Sequence, residues 1–180
     1  EAGLALFPND PMLLFLSGCE HEGYAAPAIQ AALEGTLRRP DDPQPAKEEL
    51  RRAARDFRMS LEVETSPLVR SHLGRVLSLL DTHAEGIQQL TAAGPNLATD
   101  ELRYLNAMFL GQAQERVGQL DAAAVSYQRA HEVYPGAQTP LLALSAVARR
   151  RDNYQEAREP MAALWLLDTS RTDDDPWWEY

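Results

Sequence analysis

Cys19-Glu20-His21-Glu22 is the stretch in which a thiol, an imidazole and carboxylates stand together. A thiol beside a base can act as a nucleophile, and all three groups are metal ligands. On a helix, however, Cys19 and His21 lie two residues apart and point in different directions, since helical neighbours lie three or four apart. Either chemistry needs partners from elsewhere in the chain, and no His-x3-His or Cys-x2-Cys spacing occurs. His72, His83 and His131 stand isolated and read as surface or groove residues. Arg149-Arg150-Arg151 and Arg38-Arg39 are small cationic spots, and arginines late in a helix suit the helix dipole. Asp173–Asp175 reads as a solvated cap, because a calcium loop needs Gly and Glu at set spacing. No catalytic residue, cofactor or metal is read from these motifs.

Composition narrows the classes further. The chain has 180 residues, enough for one domain or a stack of several repeats. Hydrophobic residues make up 44% and aromatics only 7%, so Ala and Leu do most of the apolar work. That favours close-packed helices over sheets. The net charge of −10 argues against nucleic acid, whose phosphates need a basic face, and against adsorption to anionic lipid. A lone Cys19 excludes an internal disulfide, and no apolar run reaches membrane-spanning length. The chain opens on Glu1, which fits either a removed export signal or a trimmed chain; a cytoplasmic and an exported location both stay open.

The elements that position these residues are predicted to be helices throughout. Leu4–Pro8 has the shape of a closing segment, and Asp10-Pro11 caps and starts the next helix. A second helix is expected from Pro27 to about Leu37. The prolines Pro40, Pro43 and Pro45 then break the chain, making 23–45 an insertion. Helices follow over about 46–62, from Ser66-Pro67, and from a capping box at Thr82-His83-Ala84-Glu85 to about Ala92. Asp100 caps the next. Pro160 falls inside an expected helix and is predicted to kink it or restart it. Asp175-Pro176 again reads as a cap, with Trp177 and Trp178 covering an open end.

From Tyr104 to Thr172 the pattern repeats. Leu110-Gly111, Ala123, Tyr127, Ala130 and Pro135 are followed 34 residues on by Leu144-Ser145, Ala157, Met161 and Leu164. This tandem resembles the tetratricopeptide repeat, with an L-G pair, then A-x3-aromatic-x2-A and a closing Pro. Ala53, Phe57 and Ser60 reproduce the same spacing, and Leu73-Gly74 supplies another pair. The resemblance implies an all-α fold, an α-α superhelix or solenoid of antiparallel helix pairs. It makes 1–180 a single domain with repeats at 11–62, 67–93, 104–135 and 138–169 and a cap at 173–180. Gly111 and Ala123 are then packing residues, where Leu would cost about 1–3 kcal/mol by overpacking.

The same resemblance implies a groove lined from the first helix of each repeat. Its four sets are Met12, Phe15, Cys19, Glu22; Leu68, Ser71, Arg75, Ser78; Leu105, Met108, Gln112, Glu115; and Thr139, Leu142, Ala146, Arg149. Arg75, Met108, Gln112, Glu115 and Arg149 are the candidate partner-binding residues. Met108 and Gln112 stand where a carboxylate-clamping subset of the family has Lys and Asn, so that clamp is absent. The implied activity is a non-catalytic scaffold or adaptor for a protein or peptide. The alternative is an accessory or catalytic helical domain using Cys19 and His21.

Overall fold

The computed structural model describes residues 2–27, 29, 44–167 and 175–178. Among them there is no strand, only helices and turns. They are α1 (Ala2–Leu6), α2 (Pro11–Tyr24), α3 (Gln44–Val63), α4 (Pro67–Leu79), α5 (His83–Ala93), α6 (Asp100–Arg116), α7 (Leu120–Val133), α8 (Gln138–Arg150) and α9 (Arg158–Leu166). Short 3-10 turns lie at Gly94–Asn96 and Pro176–Trp178. Of the expected helix from Pro27 to Leu37 only Pro27 and Ile29 are described, both helical; Arg38-Arg39, most of the proline-rich insertion and Asp173-Asp174 lie outside the described residues. No helix among the described residues is long and apolar enough to cross a membrane.

Local chemistry explains the helix ends. Asp10 accepts from the Leu13 N–H at 2.9 Å, and Ser66 accepts from the Val69 N–H at 3.4 Å, each ahead of a proline at the first helical position. For α6 the cap is Thr99, which accepts from the Leu102 N–H at 3.2 Å; Asp100, expected to cap, is the first helical residue. The expected capping box at Thr82 is not closed through Glu85. The Thr82 N–H donates to the Leu77 carbonyl at 2.9 Å, while Glu85 is held by Arg58 at 2.9 and 3.0 Å.

Three tight turns share one geometry. Asp81, Gly118 and Asp152 have φ of 62°, 78° and 56°, the left-handed region that closes a helix. In each, the next N–H reaches back five residues at 2.9 Å: Thr82 to Leu77, Gln119 to Gln114, Asn153 to Ala148. Glycine suits such a site best, and Asp tolerates it better than most residues. Pro160 is the third residue of α9, behind turns at Tyr154–Ala157. In a first turn its missing N–H has no intrahelical partner to lose, so of the two expectations the kink is absent and the helix starts afresh, at Arg158, two residues before Pro160.

The helices group into two compact units, Glu1–Gln89 and Leu90–Tyr180. In the first, α2 and α3 run antiparallel, as the pairs Pro11/Ser60, Ser17/Asp56 and His21/Glu49 require. Its core joins Leu50, Ala53, Ala54 and Phe57 of α3 to Val69, Leu73, Val76 and Leu77 of α4, with Phe15 and Cys19 packed against them. In the second, α6 and α7 bury Tyr104, Met108, Ala113, Ala123, Tyr127 and Ala130, and α8 adds Leu141, Val147 and Ala148.

One joint recurs in both. A Cβ on Gly18 would lie 2.4 Å from the Phe57 ring, and a Cβ on Gly111 would lie 2.5 Å from the Tyr127 ring. Each glycine is thus the seat of an aromatic ring from the paired helix, and both rings are almost wholly buried. Between α8 and α9 the glycine is replaced by Ser145, whose hydroxyl donates to the Ala157 carbonyl at 2.9 Å.

Candidate functional site

The candidate groove residues fall into two environments. On α6, Met108, Gln112 and Glu115 follow one another at i, i+4 and i+7 and share a face. Met108 is 1% exposed and belongs to the core, so it cannot touch a partner as the helices stand. Gln112 is exposed. Glu115 accepts from the Tyr127 hydroxyl at 2.9 Å and from Arg150 at 2.6 Å. Burial and Glu115 push the Tyr127 phenol well above its ordinary pKa. Arg149 is exposed near the end of α8, and its neighbour Arg150 is the residue that reaches Glu115.

Arg75, in the first unit, donates to Glu22 at 2.5 Å. Glu22 is 8% exposed, and its other oxygen faces Nδ1 of His72 at 2.7 Å. Burial pushes its carboxyl up, but the bonds and charges of His72 and Arg75 outweigh that and hold it below its ordinary value. His72 lies edge-on to Phe15 with ring centroids 5.5 Å apart, and 5.6 Å from Phe57. Cys19, one turn before Glu22, joins this cluster, with one ligand atom from each of Cys19, Glu22 and His72 all within 4.8 Å of one another. Sequence spacing could not show this, because His72 comes from α4, 50 residues away.

Cys19 and His21 are not brought together as a nucleophile and base. His21 places Nδ1 2.6 Å from Glu49 and Nε2 3.9 Å from the buried Asp56. The Cys19 thiol is pushed up to about 12, first by burial and then by the nearby Glu22 charge. A thiol so placed is protonated at neutral pH and a poor nucleophile.

The second unit holds two further features. A cleft of about 540 Å³ lies on α6 away from Met108, Gln112 and Glu115, walled by Leu90, Ala107, Leu110 and Val133. Arg103, Arg129 and Glu132 stand around it. Arg103 is paired to Asp100 at 3.3 Å, and Asn106 in the wall donates to the Leu90 carbonyl at 3.0 Å. The other feature is Asp175. It caps its own turn by accepting from the Trp177 N–H at 3.0 Å, as the sequence predicts, but it is buried, not solvated as expected. It also accepts from the Gln138 and Thr139 N–H groups at 3.1 and 2.9 Å and from the Thr139 hydroxyl at 2.7 Å, so it caps α8 from 37 residues away. The buried Tyr104 hydroxyl donates at 2.5 Å to Oδ1, the oxygen that also accepts from Trp177, while Oδ2 takes the three bonds from Gln138 and Thr139. Burial raises the Asp175 carboxyl, and these donors, Tyr104 first, more than reverse the shift and leave it lowered. Trp177 packs on Phe109 with centroids 5.6 Å apart.

No protein-family model matches the chain, and no curated protein matches it. Solved structures do. A crystal structure of MamA aligns at 16% identity and a TM-score of 0.69, covering 91% of this chain and 81% of that one. MamA residues 41 to the end, from Desulfovibrio magneticus RS-1, align at 20% identity and a TM-score of 0.60, covering 92% and 97%. A double mutant of MamA RS-1 gives 20% identity and a TM-score of 0.61. At such identities the likeness shows the fold: the chain is an all-α, tetratricopeptide-like helical-repeat protein built of antiparallel helix pairs.

Proposed function

We propose that this chain is a non-catalytic scaffold that binds a protein or peptide, with its repeats at 11–62, 67–93, 104–135 and 138–169. The observation that carries the reading is the cleft of about 540 Å³ in the second unit, a preformed, largely apolar concavity with charges of both signs, Arg103, Arg129 and Glu132, at its edge. Its volume suits one or two peptide side chains, and a preformed site binds with little rearrangement. The acidic chain, at net charge −10, favours a basic or neutral partner over nucleic acid. Gln112 and Arg149, both exposed, offer a second face on the groove side of α6 and α8.

Affinity capture from the source organism's lysate tests the reading with three baits: wild type, Ala107→Glu/Arg129→Glu in the cleft, and Gln112→Arg/Arg149→Glu on the groove face. A partner held by wild type and lost from the first variant supports the cleft, and one lost only from the second moves the site to the groove. Equal recovery of every partner by all three baits removes both surfaces. The rival reading, a catalytic Cys19 with His21, requires Cys19 to react fast with a thiol reagent at neutral pH; its buried, protonated thiol is expected to react slowly.

A further inference from the structure

We propose that Cys19, Glu22 and His72 form a site for a divalent transition metal of the zinc class within the first unit. Each offers one ligand atom, and these atoms lie within 4.8 Å of one another. Cys19 and Glu22 are three apart on α2 and share a face, and His72 comes across from α4. Tetrahedral bonds of about 2.0–2.3 Å set ligand atoms roughly 3.3–3.8 Å apart. The wider separations must therefore close by up to about an ångström, while Glu22 and His72, 2.7 Å apart, give up their hydrogen bond and open by about half an ångström. The donor set of sulfur, imidazole nitrogen and carboxylate oxygen matches zinc. It does not match calcium or magnesium, which take oxygen.

The surroundings are those of a built ligand set. Arg75 and His72 grip different oxygens of Glu22, so the carboxylate is oriented and one oxygen stays with Arg75 when the other turns to a metal. Such a partner outside the ligand shell is a regular part of metal sites. The guanidinium charge opposes a cation, and the two negative charges of thiolate and carboxylate outweigh it. Phe15 and Phe57 pack against His72 and fix the plane of its ring. Binding exchanges the thiol proton of Cys19 for a metal–sulfur bond, with that proton and any on the ligating nitrogen leaving to solvent. Three protein ligands leave a fourth position for water. The equivalent face of α6 carries Gln112 and Glu115, without a thiol, so the site belongs to the first unit alone.

Cobalt(II) titration of the full chain tests this, because a thiolate–cobalt bond gives a charge-transfer absorption that surface carboxylates and histidines cannot. One equivalent should produce that band together with the visible bands of tetrahedral cobalt, and zinc should bleach both. Cys19→Ser should abolish the charge-transfer band, and His72→Gln should weaken cobalt binding at least about tenfold. Far-UV circular dichroism of both variants shows whether they remain folded. The wild type needs no variant for a second readout: zinc at about a hundred times its Kd should raise the thermal midpoint by about 5–10 °C, reversed by a chelator. Absence of the charge-transfer band in folded wild type overturns the site, as does an unchanged band in Cys19→Ser.

Discussion

Gly18 with Phe57 in the first unit and Gly111 with Tyr127 in the second form the same joint, yet their acidic neighbours do different things. Each glycine faces the ring of an A-x3-aromatic-x2-small segment, Ala53–Ser60 or Ala123–Ala130. Four residues after each glycine stands a glutamate, Glu22 or Glu115, and each is gripped by an arginine from a later helix of its own unit. Around Glu22 the ring is Phe57, which has no hydroxyl, and the carboxylate is completed by His72. Around Glu115 the hydroxyl of Tyr127 takes that part. The side chain of Glu22 is 6% exposed and that of Glu115 24%, so the first is an interior ion pair and the second a partly wet one. The packing frame is common to both units, and the polar atoms laid over it set them apart.

The sharpest way to break that comparison is to delete the rings. Phe57→Ala and Tyr127→Ala each empty a site that is almost wholly buried, and each should cost about 3–5 kcal/mol. Urea denaturation followed by circular dichroism checks both. Similar losses would establish that the two joints bear equal weight; a Phe57→Ala loss under about 1 kcal/mol would end the equivalence.

Next in size is Arg75→Ala, which leaves Glu22 buried with only His72. Breaking a buried pair is costly, and with the Arg75 side chain 26% exposed the loss should be about 2–3 kcal/mol. The sign with pH follows from the lowered Glu22 carboxyl. A carboxyl below its unfolded value, about 4.3, contributes stability that is present above that value and lost as pH falls through the folded one. The wild type should therefore lose stability on acidification below about pH 4.3, and Arg75→Ala should lose less over the same range. Parallel acid limbs for the two proteins would show that Arg75 does not set the ionisation of Glu22.

Much of the common frame is legible in the sequence because it is local. Asp10-Pro11 and Ser66-Pro67 announce their own helix starts, and Leu110-Gly111 with Ala123 announces a close helix contact, though not that the Tyr127 ring is what sits on Gly111. What separates the units is not local. Glu22, His72 and Arg75 come from helices about 50 residues apart, and only the fold sets them side by side. Met108 holds a predicted groove position yet lies in the core, because i, i+3 and i+4 counting cannot say how closely the next helix approaches. Arg149 and Arg150 look alike in a triplet of arginines, and the helix's rotation decides which of them meets Glu115. Asp175 is readable as the cap of its own turn, while its service to α8 depends on the chain returning there.

That service gives the third contrast. α2 is capped by Asp10 immediately before it, whereas α8 follows Ala137, has no side-chain cap of its own and borrows Asp175. Losing a cap costs about 1–2 kcal/mol. Asp10→Ala and Asp175→Ala should both fall in that range, with Asp175→Ala at the upper end because the buried Tyr104 hydroxyl loses the carboxylate it donates to. Hydrogen exchange at Gln138 and Thr139 should rise in Asp175→Ala and stay unchanged in Asp10→Ala. Unchanged protection there would remove Asp175 as the cap.

The smallest effect belongs to Arg150→Ala, and it bears most directly on whether burial separates the two glutamates. Arg150 and Arg75 make the same kind of contact, at 2.6 and 2.5 Å, so distance alone predicts equal losses. Burial predicts otherwise. The Arg150 side chain is 51% exposed, so water screens the pair and hydrates whichever partner is left. Glu115 would also keep the Tyr127 hydroxyl as a donor. The expected loss is under about 1 kcal/mol, and it should shrink further in high salt, while that of Arg75→Ala should change little. Equal losses from the two arginine deletions, with equal salt dependence, would mean that burial does not distinguish Glu22 from Glu115.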